Sequence, residues 1–401
     1  MRHRWSALAA ALGSLLVLTA TTAVPARTEA APPRLLTGAD WRAPLAAGEP
    51  SDAAWLAAGT VPGADGPWGP MVRQGLLDLR GLSRPNGALE AAPTQIWRYA
   101  WPRDSAFAAV ALSATGHRDD ALRALDFLAG VQLADGGFEA RYLLTGHGAP
   151  DDRPRQGDGA GWALWALGEV VADAPDAATA RADLTALRPL LSGASDFLLA
   201  GTGDGTRLPA PSPDYWERPE TELTLGTAAA QLAGLRAAAR LFPVLGEDAR
   251  ARTADRAARR LARLVRAEFR PGGYQRYARS GRRDAAVTFL LPPFADAVDP
   301  GVLAAVRGYQ SEALRGAGGL APGAGWRDDG ISWTPETALT AYALAASGAD
   351  ADAARWLDWL AAHRTAWGSL PERVLADGTP AGPAPLGWSA ASVVLAVAAL
   401  G

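Results

Sequence analysis

The sequence predicts an all-α protein whose helices pair into an (α/α)6 barrel, with its working residues gathered at one mouth. Three observations carry that expectation. Apolar residues recur at helical spacing along most of the chain, while the two-residue alternation of strands is scarce. Twelve helical stretches follow one another with no break in composition after residue 70. Their connections alternate between short and long, so six pairs place short turns at one end and long loops at the other.

The chain opens on a different signal. Arg2 and Arg4 precede an apolar run from Ala7 to Ala20, and small residues follow to Val24-Pro25-Ala26. That is the order of a secretory signal peptide, with cleavage expected after Ala26 or Ala30. Residues 1–26 are therefore expected to be removed. Residues 27–69 read as a segment packing on the barrel, with Trp41 and Trp55 as its contacts, and 70–401 as one catalytic domain. Within that domain helices are expected at Pro70–Gly81, Asp104–Ala114, Arg118–Gln132, Asp158–Ala172, Ala180–Ala200 and Glu222–Leu241. The remainder are expected at Glu247–Phe269, Asp284–Leu291, Gly301–Arg315, Pro335–Ser347, Ala351–Arg364 and Gly387–Leu400. Gly116 and Gly348 stand just past helix ends, where a left-handed residue closes the last turn. Thr334-Pro335 puts Pro at a first helical position, where its missing N–H is no loss. The long loops run 82–103, 133–157, 201–221, 271–283, 316–334 and 365–386.

Composition excludes several chemistries. There is no cysteine, hence no disulfide, thiolate metal site or Cys nucleophile, and export without disulfides fits a bacterial secreted protein. The net charge of -3 gives no sign of nucleic acid or an anionic membrane as partner. The Arg-rich stretch 250–270 carries Leu261, Leu264 and Val265 on its other side and reads as a solvated helix face. After residue 26 no apolar run reaches spanning length, so no membrane contact is expected of the mature form, and a monomer is expected. The four His form no close ligand pair, and Asp328-Asp329 lack the ordered spacing of a calcium loop, so no metal or cofactor is expected. Fifteen Trp is far above ordinary usage. An indole has a broad apolar face and one donor, which suits stacking on a sugar ring, although core filling competes as a reading for any single one.

Polar candidates crowd the long loops. The first loop holds Trp97, Tyr99, Trp101, Arg103 and Asp104, running straight into a helix. Asp104 reads either as that helix's N-cap or, with Arg103, as a clamp for neighbouring hydroxyls, since one only donates and the other only accepts. Asp158 reads first as a helix cap and second as an anchor behind the site. The third loop holds Tyr215-Trp216-Glu217-Arg218. Burial against Trp216 would raise the pKa of Glu217, as a general acid needs; a surface pair with Arg218 is the plain alternative. The fifth loop holds Trp326-Arg327 and Trp333, and the sixth holds Glu372 and Trp388. A second carboxylate on the same mouth as Glu217 is what glycoside hydrolysis requires.

In these segments, Trp97 to Asp104, Asp158-Gly159, Asp214 to Glu217, Leu370-Pro371-Glu372 and Pro385 to Ser389, the sequence resembles glycoside hydrolase family 15, the glucoamylase family. The resemblance covers roughly residues 85 to 400 in matching order. It implies an (α/α)6 barrel and exo-cleavage of α-glucosides with inversion. It further implies Glu217 as acid and Glu372 as base, with Arg103, Asp104 and Arg327 holding the terminal glucose and Trp101 and Trp216 lining its pocket. Trp97, Asp158, Tyr215, Trp333 and Trp388 join the substrate-binding set. Where many starch-cleaving members carry a second Glu after the acid, this chain has Arg218, and the loop before Asp158 lacks the Trp of those members. Short α-1,6-linked glucosides such as isomaltose are therefore the expected substrates. A starch-cleaving glucoamylase, a trehalase and a non-catalytic glycan-binding protein are the alternatives.

Overall fold

The computed structural model describes residues 35–42, 45, 48–94 and 96–401, so the expected signal peptide lies outside the described residues. Thirteen α-helices are described. They are α1 (Asp52–Ala57), α2 (Gly69–Leu82), α3 (Pro102–Ala114), α4 (Arg118–Val131), α5 (Gly159–Ala172), α6 (Ala177–Ala186), α7 (Arg188–Thr202) and α8 (Leu225–Leu241). The rest are α9 (Asp248–Phe269), α10 (Pro300–Glu312), α11 (Thr334–Ala346), α12 (Asp350–Ala362) and α13 (Gly387–Ala399).

Contacts between elements close a ring. Helix α3 packs on α5, α5 on α8, α8 on the 3-10 segment Ala285–Leu290, that segment on α11, α11 on α13, and α13 back on α3. Outside this inner ring lie α4 on α3, α7 on α5, α9 on α8, α10 on the 3-10 segment, α12 on α11 and α2 on α13. This is the (α/α)6 barrel the loop pattern predicts. The sequence explains which helix goes where. Inner helices are enclosed on all sides: every residue of α3 from Pro102 to Ser113 is buried. Outer α9 buries one stripe, Ala251, Ala254, Ala257, Ala258, Leu261, Val265 and Phe269, and turns its arginines to solvent. Close inner packing depends on small residues. A Cβ on Gly161 of α5 would come within 2.2 Å of the Ala230 carbonyl oxygen, and one on Gly234 of α8 within 2.6 Å of the Gly161 Cα.

Three expectations need correction. The single helix expected over Ala180–Ala200 is two, because Pro189 lacks an N–H and starts α7 afresh at Arg188. The stretch Asp284–Leu291 forms a 3-10 segment instead of an α-helix: the Asp284 side chain accepts from Ala286 N–H, and Pro292-Pro293 stop the chain directly after. The long loops also hold five short strands. Strands β1 (Gln275–Tyr277) and β2 (Ser280–Arg283) form one antiparallel hairpin, and β3 (Ser332–Trp333), β4 (Arg373–Val374) and β5 (Pro380–Ala381) an antiparallel sheet. Helix α1, unmarked in the sequence reading, lays Trp55 flat on His117 with ring centroids 3.6 Å apart.

Candidate active site

All six inner elements begin where a long loop ends, so their N-termini face one mouth. Unpaired N–H groups and the positive end of each helix dipole favour acidic residues in such first turns. Asp104 on α3, Asp158 before α5, Asp284 before the 3-10 segment and Glu336 on α11 all sit there, and all are buried.

Arg103 is the hub. Its Nη2 donates to Asp104 Oδ2 at 3.0 Å, its Nη1 lies 3.6 Å from Glu217 Oε1, and its guanidinium sits 4.6 Å from the centre of the Trp388 ring. Burial works against its charge, yet Asp104, Glu217, Asp158 and Glu336 around it raise its pKa. Asp104 is pushed up by burial against the pull of Arg103. Asp104 thus pairs with Arg103 and is not the cap: the N-cap of α3 is Trp101. Asp158 does occupy the N-cap of α5, but its side chain caps nothing and accepts from Trp162 Nε1 at 3.0 Å. Burial pushes it up to about 7.

Glu217 departs from the expected setting. Asp214 shapes the turn, accepting from Trp216 N–H with its side chain and from Glu217 N–H with its carbonyl, and Glu217 takes a left-handed φ of 53°. Such a conformation is costly for a residue with a Cβ and concentrates at functional sites. The Glu217 side chain keeps 29% of its surface and meets Arg153 Nη1 at 3.0 Å as well as Arg103. Neither burial against Trp216 nor pairing with Arg218 is found. Trp216 instead stacks on Arg276, whose guanidinium lies 3.8 Å from the ring centre.

Glu372 precedes β4 and is held by backbone bonds on both sides: its N–H donates to Pro383 O, and its carbonyl accepts from Thr334 N–H at the start of α11. Burial pushes its carboxyl up to about 7, against the guanidinium of Arg373 at 2.9 Å and the Trp97 side chain. Glu336, in the first turn of α11, is pushed up by burial to about 8, helped by the charge of Glu372. A carboxyl with that value is largely protonated at pH 7.

Several polar atoms in this region are buried without a protein partner among the described residues. They are Arg103 Nε and Nη1, Glu336 Oε2, and Nε1 of Trp101, Trp216, Trp333 and Trp388. Unpaired buried polar groups are rare in a core, and a polyol supplies what these need. Tyr215 differs: its hydroxyl donates to Pro322 O and its ring packs edge-on against Trp388, so it shapes the wall. Arg327 does not join the group around Arg103; it is exposed, beside the Trp326 ring. Among the described residues no cluster of His, Asp and Glu is arranged to hold a metal.

Arg276 is a residue the sequence reading missed. Strand alternation in β1 turns it inward, where it is 1% exposed and donates to Asp214 at 2.8 Å, Glu220 at 2.6 Å and Asp284 at 2.9 Å. It locks the turn bearing Glu217 to the barrel wall. Arg153 was missed too, being one of several arginines in a loop with no pattern.

No protein-family profile matches the chain. The sequence is 30% identical to an isomaltose glucohydrolase of Kribbella flavida over 314 residues, 72% of this chain and 78% of that protein. A solved glycosidase variant in complex with glucose superposes with a TM-score of 0.71 at 26% identity, covering 82% of this chain and 96% of its own. A family 15 glucoamylase from Hypocrea jecorina shares the fold with a TM-score of 0.62 at 18% identity, over 82% of this chain and 71% of its own. The chain belongs to glycoside hydrolase family 15 and is a glycoside hydrolase.

Proposed function

We propose that the protein is an exported, inverting exo-α-glucosidase that releases β-glucose from the non-reducing end of short α-1,6-linked glucosides such as isomaltose. The observation that carries the reading is that Glu217 lies 3.6 Å from Arg103 while Glu336 feels the charge of both Arg103 and Glu372, among buried donors with no protein partner among the described residues. Arg103 and Asp104 grip adjacent hydroxyls of the terminal glucose, and Trp101 and Trp388 wall its faces. Glu217 delivers a proton to the glycosidic oxygen as the C1–O bond breaks. Glu372 takes a proton from the water whose oxygen bonds to C1 from the opposite face, which inverts the anomer. The sugar takes over the contacts that Arg103 and Arg153 make with Glu217, so the acid is set up in the complex; such hydrogen bonds commonly rearrange when substrate arrives.

The substrate reading is supported by the isomaltose glucohydrolase relative and by Arg218, which replaces a carboxylate that starch-cleaving members use for the next sugar. Export rests on the charged, apolar and small-residue order of residues 1–26. The test is glucose release from isomaltose, maltose, trehalose, dextran and soluble starch. Isomaltose is expected to have the highest kcat/KM; starch or trehalose ahead of it would refute the substrate assignment.

A further inference from the structure

Trp216 and Arg218 flank Glu217 and both line a pocket of about 210 Å³, together with Glu220, Arg276 and Tyr277. The side-chain acceptors here are already used. Glu220 Oε1 takes Arg276 Nη2 and Oε2 takes the Tyr277 hydroxyl, each at 2.6 Å. Donors remain. Trp216 Nε1 is buried without a partner, and Arg218 has no carboxylate within ion-pair distance among the described residues. The Arg218 guanidinium lies 5.9 Å from the centre of the Trp326 ring, and that of Arg327 lies 5.8 Å from the same ring. Two like charges thus flank one indole. Asp328 and Asp329 follow Arg327 but pair with neither arginine, and Asp329 accepts from Ile331 N–H instead. Set around one indole and with no ion-pair partner among the described residues, the two guanidinium groups gain most from a ligand that brings an anion.

We propose that this donor-only rim is the leaving-group side of the site, and that the preferred substrate is an α-glucoside whose aglycone carries an anion, a carboxylate or a phosphate, close to the glycosidic oxygen. The inference rests on Glu217 being the acid, since Trp216 and Arg218 are its two neighbours in the chain and line the pocket next to it. The hydrolysis itself is unchanged; the rim selects what leaves.

The experiment compares glucose release within two pairs of substrates. One is 2-O-α-glucosyl glycerate against 2-O-α-glucosylglycerol, which differ by a carboxylate attached next to the glycosidic carbon of the aglycone; the other is α-glucosylglycerol phosphate against α-glucosylglycerol. The wild-type protein is expected to favour the anionic member of at least one pair by about five- to tenfold in kcat/KM, and the pair that shows it names the anion. That ratio is expected to fall towards one in Arg218→Ala/Arg327→Ala and at high salt, and to survive in Arg218→Lys. A wild-type ratio near one in both pairs, or a ratio that survives the double substitution, overturns the proposal. α-Glucosyl fluoride separates the two failures. Its hydrolysis without any ratio sinks this inference alone, whereas no hydrolysis sinks the glucosidase reading and this one with it.

Discussion

Replacing Arg276 by Met tests whether the buried cation holds the Glu217 turn in place. The substitution removes donors from Asp214, Glu220 and Asp284 at once, in a place where Arg276 is 1% and Asp284 0% exposed. Removing one partner of a buried ion cluster costs about 3–5 kcal/mol, because the charges left behind have no water to return to. At about 2 °C per kcal/mol for a large domain, the melting temperature should fall by about 6–10 °C at pH 7. The loss has a predictable pH dependence. The folded value of Asp284, about 6, lies above its ordinary 3.8, so its contribution is present in full below 3.8 and is lost as pH rises through about 6. Without Arg276, whose charge lowers it, the carboxyl rises further and that loss grows. The gap between variant and wild type should therefore be wider at pH 8 than at pH 5. Scanning calorimetry at both pH values, with kcat on isomaltose alongside, reads the effect. A fall of less than about 2 °C, or a gap that widens towards pH 5, would refute the reasoning.

Glu217→Gln should lose at least about a thousandfold in kcat on isomaltose but far less on α-glucosyl fluoride, whose leaving group hardly needs an acid; equal losses on both would remove the acid role. Glu372 must be ionised to act as base, so with its carboxyl pushed up to about 7, kcat/KM should drop with falling pH below that value. Arg373→Met, which removes a cation that lowers Glu372, should move this limb to higher pH, and a shift to lower pH would contradict the assignment. Asp78 is buried with Gln74 Nε2 and Ser369 Oγ as its side-chain donors among the described residues, and burial pushes it up to about 7. Its folded value is raised, so the wild type loses stability as pH climbs; Asp78→Asn should gain about 3 kcal/mol over it between pH 5 and pH 8 by denaturant titration.

The architecture was largely legible because two independent patterns agreed. Helical periodicity marked the elements, and alternating loop lengths gave their pairing. Local chemistry decided the rest. Pro189 breaks a helix in the middle of an unbroken apolar pattern, and the 3-10 segment is set by the Asp284 side chain and the prolines after it. The sheet beside Glu372 has strands of two residues each, too short to show alternation. In the site, the residues flanked by aromatics stood out. Arg276 did not, because its carboxylate partners come from distant loops and only the β1 hairpin turns it inward. The setting of Glu217 departs from expectation for a related reason: adjacency to Trp216 in sequence suggests burial against it, and the side chain meets Arg103 and Arg153 from distant loops instead.

The central claim is that Glu217 and Glu372 act as acid and base on opposite faces of one glucose. It is tested most directly by following the first turnovers on isomaltose by proton NMR, before the released sugar equilibrates. β-Glucose should appear first, with the α anomer growing only as mutarotation proceeds. Early α-glucose would mean a retained configuration, and it would contradict the assignment of Glu372 as a base that activates water.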